Sequence, residues 1–200
     1  MRNLNTLLFD LGGVLIELGS VADMMATSPQ EPASIWENWI TSSSVSSFES
    51  GNCDEVTFSQ SMVEEFQLTI SPDEFLVRFK AWPRGTYEGA TELLEALSSR
   101  YRLICLSNTN STHYHHFLKH QAVMSHFEAS FLSHQTGVLK PQAAAFENVL
   151  SGLGLAPDEV LFFDDHASNV RAARDMGFHA EKVNAPSDIE KRLNELGLSV

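Results

Sequence analysis

The stretch LLFDLGGVLIEL, residues 7–18, decides the fold. The run Thr6, Leu7, Leu8, Phe9 is apolar, without the alternation of a half-wet strand, and ends in a single carboxylate, Asp10, followed at once by Gly12 and Gly13. This is the pattern of a buried strand that delivers an acid to a glycine loop.

Working outward, residues 20–82 carry helix starts and aromatic residues but no strongly β-branched run. Ser28 or Ser34 is placed to cap a helix bearing Ile35, Trp36, Trp39 and Ile40, and Asp54 to cap one bearing Val56, Phe58, Met62, Val63 and Phe66. Ser71, Pro72, Asp73 and Glu74 form a strong helix start before Phe75, Leu76 and Phe79. The serine-rich residues 41–47 read as a connection. Trp36, Trp39, Phe48 and Phe58 read more readily as a small core of this segment than as a stacking platform, and Trp82 and Tyr87 as packing at its return.

From Tyr87 the chain alternates helices with short apolar strands. Helices are expected over 88–99, after Ser111, over 142–152, over 166–176 and from Pro186, with strands at 101–106, 130–132, 160–163 and 180–183. That order implies right-handed crossovers and a mainly parallel sheet. The fold class is therefore α/β: a Rossmann-like parallel sheet with helices on both faces and an inserted small helical cap. Residues 1–16 and 85–200 form the core and residues 17–84 the cap, inserted after strand one.

In such a sheet ligands gather at the carboxyl ends of the strands. There the sequence sets Asp10, then Ser107 to Asn110, then Asp164 and Asp165, with Lys140 fixed just before Pro141. Three carboxylates near one another need a shared cation, and hard oxygen donors without a thiolate or histidine cluster suit Mg²⁺. Lys140, the Ser107 hydroxyl and the backbone N–H groups of the glycine loop would then cradle a phosphoryl group, leaving Asp10 as nucleophile.

FDLGGVLIEL, LSNTN, GVLKP and FFDDHASN resemble, in order and spacing, motifs I to IV of the haloacid dehalogenase-like superfamily of phosphohydrolases, over residues 7 to about 169. The insertion resembles a type C1 cap. The resemblance implies an aspartyl-phosphate on Asp10 and Mg²⁺ held by Asp10, the main-chain carbonyl of Gly12 and the motif IV acids, Asp165 directly and Asp164 in support. It implies phosphate binding by Ser107 and Lys140, with Asn108 and Gly12 beside them. Most phosphatases of the family carry a second aspartate two residues after the nucleophile, for proton transfer. Here that position is Gly12, as in a D-x-G subset. Glu17 and His166 are the substitutes within sequence reach.

The expected activity is Mg²⁺-dependent hydrolysis of a small phosphate monoester such as a sugar phosphate. The rivals are a silent phosphate-binding or regulatory protein and, less favoured because of the Asp164–Asp165 pair, a haloacid dehalogenase. With 13 basic and 26 acidic residues the formal charge is −13, which excludes the basic stripe of a nucleic-acid binder. Neither a signal peptide nor a membrane span is read, so the expected partner is a small phosphorylated metabolite, the compartment the cytoplasm, and the state a monomer or homodimer. His113, His116 and His120 share a helical face, read as solvated, and Cys105 reads as a core thiol.

Overall fold

A computed structural model describes residues 4–26 and 32–198. Strand β1 (Thr6–Phe9) is followed by β2 (Ile16–Leu18), then by helices α1 (Val21–Met25), α2 (Pro32–Thr41), α3 (Ser43–Glu49), α4 (Glu55–Glu65) and α5 (Pro72–Lys80). The chain returns through β3 (Pro83–Thr86) into α6 (Ala90–Ser98), β4 (Arg102–Ser107), α7 (Ser111–His116), β5 (Ala129–Leu132) and α8 (Ser133–Thr136). It ends with α9 (Ala143–Leu153), β6 (Val160–Asp164), α10 (Ala167–Asp175), β7 (His179–Lys182) and α11 (Pro186–Glu195).

Five strands form a parallel sheet in the order β5-β4-β1-β6-β7, with β1 at its centre. A central parallel strand is covered on both faces, which explains its unbroken apolar run. Leu7 and Phe9 point to one face with Leu103, Cys105, Leu161 and Phe163, under α6 and α11. Leu8 points to the other with Ile104, Leu106 and Phe162, under α9 and α10. The chain runs outward from β1 to β5 and then reverses to β6, so the switch point of the sheet lies at the end of β1, beside Asp10.

The inserted helices bury their own cluster, which includes Met25, Ile35, Trp39, Phe48, Phe58, Met62, Phe75 and Phe79. Phe48 and Phe58 stack with ring centroids 4.2 Å apart. Asp54 and Ser71 cap α4 and α5 through the amides of Thr57 and Glu74, as their positions in sequence predict. Ser34 lies inside α2, which begins at Pro32, while the alternative cap, Ser28, falls outside the described residues.

Three expectations are corrected. The serine-rich segment is not a connection: Ser42 accepts from the amide of Val45 and starts α3, whose Val45 and Phe48 are buried three residues apart. Two short strands absent from the expected elements, β2 and β3, pair antiparallel, Ile16 with Thr86 and Glu17 with Gly85. Serine content hid the first and strand brevity the second, because only a distant partner stabilises a three-residue strand. Thirdly, His113 is buried, not on a wet face. Its Nε2 donates to the Phe79 carbonyl at 2.7 Å, and its Nδ1 accepts from Asn110 at 3.2 Å. Burial lowers its pKa to about 4, so it is a neutral pin between α7 and α5.

Candidate active site

At the end of β1 the Asp10 amide donates to the Phe163 carbonyl at 3.0 Å, which fixes the carboxylate at the sheet edge. The loop then curls under the Leu11 carbonyl, which accepts from the amides of Leu15 and Ile16, each at 2.8 Å. The Gly13 amide reaches the Ile16 carbonyl at 2.9 Å. These bonds leave the Gly12 carbonyl outside the loop's own bonding. Gly13 has φ +72°, and a Cβ there would run into the Asp165 carboxylate. A side chain at this position meets both backbone strain and collision. At Gly12 a Cβ would lie 3.0 Å from Leu18 Cδ1, so a β2 side chain borders the space that an aspartate would occupy.

The loop after β4 supplies Ser107, Asn108, Thr109 and Asn110. Ser107 is buried, and its hydroxyl holds down the pKa of Asp10. The Asn108 side chain is bonded to the Lys140 main chain: Nδ2 donates to the Lys140 carbonyl and Oδ1 accepts from the Lys140 amide, both at 2.9 Å. Its side chain is thus a clamp on the lysine's main chain. Asn110 caps α7 through the His113 amide at 2.8 Å. Ser133 of α8 ties the same loop down, donating to the Thr109 carbonyl at 2.8 Å and accepting from its amide at 2.9 Å.

Lys140 is the buried cation of the site. Its Nζ lies 2.6 Å from Asp164 Oδ2 and 3.0 Å from Asp10 Oδ1, with the lysine side chain 1% and that of Asp164 0% exposed. Burial opposes its charge, but the two carboxylates outweigh that and hold its pKa well above the ordinary lysine range. Asp164 also accepts from the His166 amide at 2.7 Å and from Asn169 Nδ2 at 3.0 and 3.1 Å. It therefore joins the lysine to the start of α10.

One lysine cannot balance three acids. Donor oxygens of Asp10, Asp164 and Asp165 lie within 4.8 Å of one another. Burial, with Lys140 opposing and Asp164 adding its repulsion, raises the pKa of Asp10. Asp165 is pushed up to about 7 by burial and then by the charges of Asp10 and Asp164. Asp10 Oδ1 is buried, and the approach of the lysine is not directed as a hydrogen bond, so that oxygen has no hydrogen-bond partner among the described residues. A buried carboxylate oxygen without a hydrogen bond, an all-carboxylate donor set and excess negative charge fit a hard divalent cation such as Mg²⁺.

These groups open into a cleft of about 400 Å³. Asp10, Gly12, Ser107, Asn108, Lys140 and Asp165 all line it, with Asp164 beneath. The cap supplies the facing wall, chiefly Trp36, Trp39, Ile40 and Trp82. Trp39 thus serves both the cap core and the cleft. Among the described residues that line the cleft, one further acid, Glu49 at the end of α3, had no sequence signal of its own. Reading residues 42–49 as a capped helix was the only route to it. Of the two proton-transfer substitutes read from the sequence, Glu17 is exposed on β2 and outside the cleft. His166 lines the cleft, with its Nδ1 2.7 Å from the Ser168 hydroxyl.

Residues 4–177 match the family described as haloacid dehalogenase-like hydrolase. The fold is similar to that of a predicted HAD-like family hydrolase from Porphyromonas gingivalis, with TM-score 0.79 and 25% identity over 99% of this chain and 100% of that one. It is also similar to a HAD family enzyme from Bacteroides thetaiotaomicron, with TM-score 0.78 and 24% identity over 96% of this chain and 98% of that one. A further structure of that enzyme is a complex with magnesium and inorganic phosphate. Dehalogenase structures share the fold as well. Among curated proteins, the rat bifunctional epoxide hydrolase 2 is 44% identical over 52 residues, which are 26% of this chain and 9% of that protein. The matched stretch is thus under a tenth of that relative's length.

Proposed function

This chain belongs to the haloacid dehalogenase-like hydrolase family, and on that premise we propose that it hydrolyses a small phosphate monoester through an aspartyl-phosphate on Asp10. The observation that carries the reading is the pairing of a nucleophile with a charge-binding floor: Oδ1 of Asp10, ion-paired with buried Lys140 at 3.0 Å but without a hydrogen-bond partner among the described residues, has Asp164 and Asp165 within metal-binding reach. Magnesium bound to the Bacteroides neighbour supports the same choice of cation.

In this reading Asp10, Asp165 and the Gly12 carbonyl hold Mg²⁺, with Asp164 behind them, and the ion supplies Lewis-acid stabilisation of phosphoryl charge. The chain's own groups do the rest. Asp10 attacks phosphorus from the floor of the cleft. Lys140 and the Ser107 hydroxyl bind the phosphoryl oxygens, and Lys140 offsets the carboxylate charge that would otherwise repel them. Asn108, through its two bonds to the Lys140 main chain, keeps the lysine aimed. The aromatic wall of the cap faces the leaving group and limits water around the reacting atoms. Such a wall suits a leaving group with both apolar faces and hydroxyls, which makes sugar phosphates the first compounds to test.

The acid pair also argues against a dehalogenase, whose chemistry needs no metal. The test is a panel of phosphorylated metabolites and an activated aryl phosphate, assayed with Mg²⁺ and with EDTA, beside Asp10→Asn. Mg²⁺-dependent phosphate release that Asp10→Asn abolishes is the expected result. Binding of phosphate and Mg²⁺ without release from any compound would favour a silent binding protein, and halide release from a 2-haloacid would favour a dehalogenase.

A further inference from the structure

We propose that Glu49, reaching the cleft from the cap, is the general acid and base of the reaction, protonating the leaving oxygen and then activating the hydrolytic water. This rests on the phosphatase reading above. It answers a deficit in the loop after β1, where the position two residues past the nucleophile is glycine, with Leu18 Cδ1 bordering the space that its side chain would enter.

The placement of Glu49 is built rather than accidental. It ends α3, a helix anchored by the Ser42 cap and by Phe48, which stacks on Phe58. Two residues on, Gly51 has φ +74°, and a Cβ there would lie 2.5 Å from the main-chain oxygen of His134. The chain after α3 therefore presses backbone to backbone on α8. Helix α8 in turn is bonded through Ser133 to Thr109, next to Ser107 and Asn108. A continuous line of contacts thus ties the tip of α3 to the phosphate end of the cleft. Glu49 is half-buried and, among the described residues, makes no hydrogen bond or ion pair that would occupy its carboxyl. Apart from Asp10 and Asp165, it is the one carboxylic acid among the described residues lining the cleft.

Its electrostatics suit the task. Burial, and then the negative charge of Asp10, push its pKa up to about 7, against the opposing pull of Lys140. Of the elements packed on α3, α8 brings His134, α4 brings Glu65, which is bonded to Ser44, and α2 brings the exposed Glu37. A group poised near neutrality can both give and take a proton there. In the first step the Asp10–phosphorus bond forms and the bond from phosphorus to the leaving oxygen breaks. The proton of Glu49 passes to that oxygen, releasing an alcohol and a Glu49 carboxylate. In the second, water attacks phosphorus and yields a proton to Glu49, the bond to Asp10 breaks, and phosphate leaves with both carboxyls restored. A residue of this kind matters most for esters of ordinary alcohols, whose alkoxides leave poorly unprotonated. The proposal thus assigns the enzyme to alcohol phosphates, not anhydrides.

The test compares wild type, Glu49→Gln and Asp10→Asn on aryl phosphates whose phenols span a range of acidities, with Mg²⁺ present. Glu49→Gln should lower kcat by roughly 10²–10⁴-fold on esters of weakly acidic phenols and far less on p-nitrophenyl phosphate, and should remove the fall in kcat/KM above neutral pH. A uniform loss across the series, or an unchanged dependence on leaving group, overturns the role of Glu49 while leaving Asp10-dependent turnover intact. Wild type that releases no more phosphate than Asp10→Asn from any ester overturns the phosphatase reading, and the role of Glu49 falls with it.

Discussion

Replacing Lys140 with methionine keeps an unbranched side chain one atom shorter but removes the one cation among three acids. The lysine nitrogen is 2.6 Å from Asp164 and 3.0 Å from Asp10, which at an effective dielectric near 20 amounts to about 6 kcal/mol of gross attraction per pair. Desolvation of the lysine offsets much of this, and loss of one member of a buried pair costs about 3–5 kcal/mol net because the partner charges stay behind. In a chain of 200 residues that corresponds to a fall in Tm of about 6–20 °C. The assay is thermal and urea unfolding in EDTA across pH. In the variant Asp10 loses the cation that holds its pKa down, so its folded pKa rises further above that of the unfolded chain. Stability is then regained as pH falls through the raised Asp10 value, and the deficit is largest on the alkaline side of it. Adding Asp164→Asn to the variant should recover part of the loss, since it removes a charge that no longer has a partner. A loss below about 1 kcal/mol, or one that is the same at every pH, would refute the claim that this lysine is the electrostatic keystone of the site.

Asn108→Ala removes both bonds to the Lys140 main chain and should cost about 1–3 kcal/mol in urea unfolding, with a parallel loss of phosphate release as the lysine loses its aim. Gly51→Ala combines left-handed strain of about 1–2 kcal/mol with collision on His134. Gly137→Ala serves as its control, for there φ is also +74° but nothing lies within 4 Å of the added Cβ, so equal Tm losses for the two would contradict tight docking of the cap. The pKa values of Glu49 and Asp165, both raised to about 7, predict that in EDTA the folded state binds protons more tightly than the unfolded one. Stability should therefore increase as pH is lowered through 7. Mg²⁺ should raise Tm more on the alkaline side of that range, because only ionised carboxylates bind it. A Tm in EDTA that climbs with pH over that interval would contradict this.

Wherever one local rule is sufficient, the sequence is legible. A short apolar run between turn signals, too short for a helix, reads as a strand covered on both faces, so β1 and its delivery of Asp10 are legible in residues 6–10. Capping residues announce α4 and α5 for the same reason, since their side chains bond amides three positions away. Lys140, Asp164 and Asp165 are visible as chemistry because each follows a strand or precedes a proline at the sheet's carboxyl edge. What was not legible depends on partners far along the chain. The β2–β3 ribbon joins residues about seventy positions apart, and neither strand is long enough to be recognised alone. His113 is a buried pin only because Phe79 presents a carbonyl to it. That the Asn108 side chain clamps the Lys140 main chain follows only from Lys140 lying opposite it in space.

By itself, then, the sequence determined the parallel sheet, the acid at its switch point, and the residue types gathered around it, because strand periodicity and caps act over a few residues. Tertiary structure alone decided that the space beside Gly12 is bordered by Leu18, and that Glu49, from a segment that reads as a serine-rich linker, faces the same cleft as Asp10. The physical reason is that an acid's chemistry depends on which charges and how much water surround it, and those neighbours are brought together only when the cap docks on the sheet.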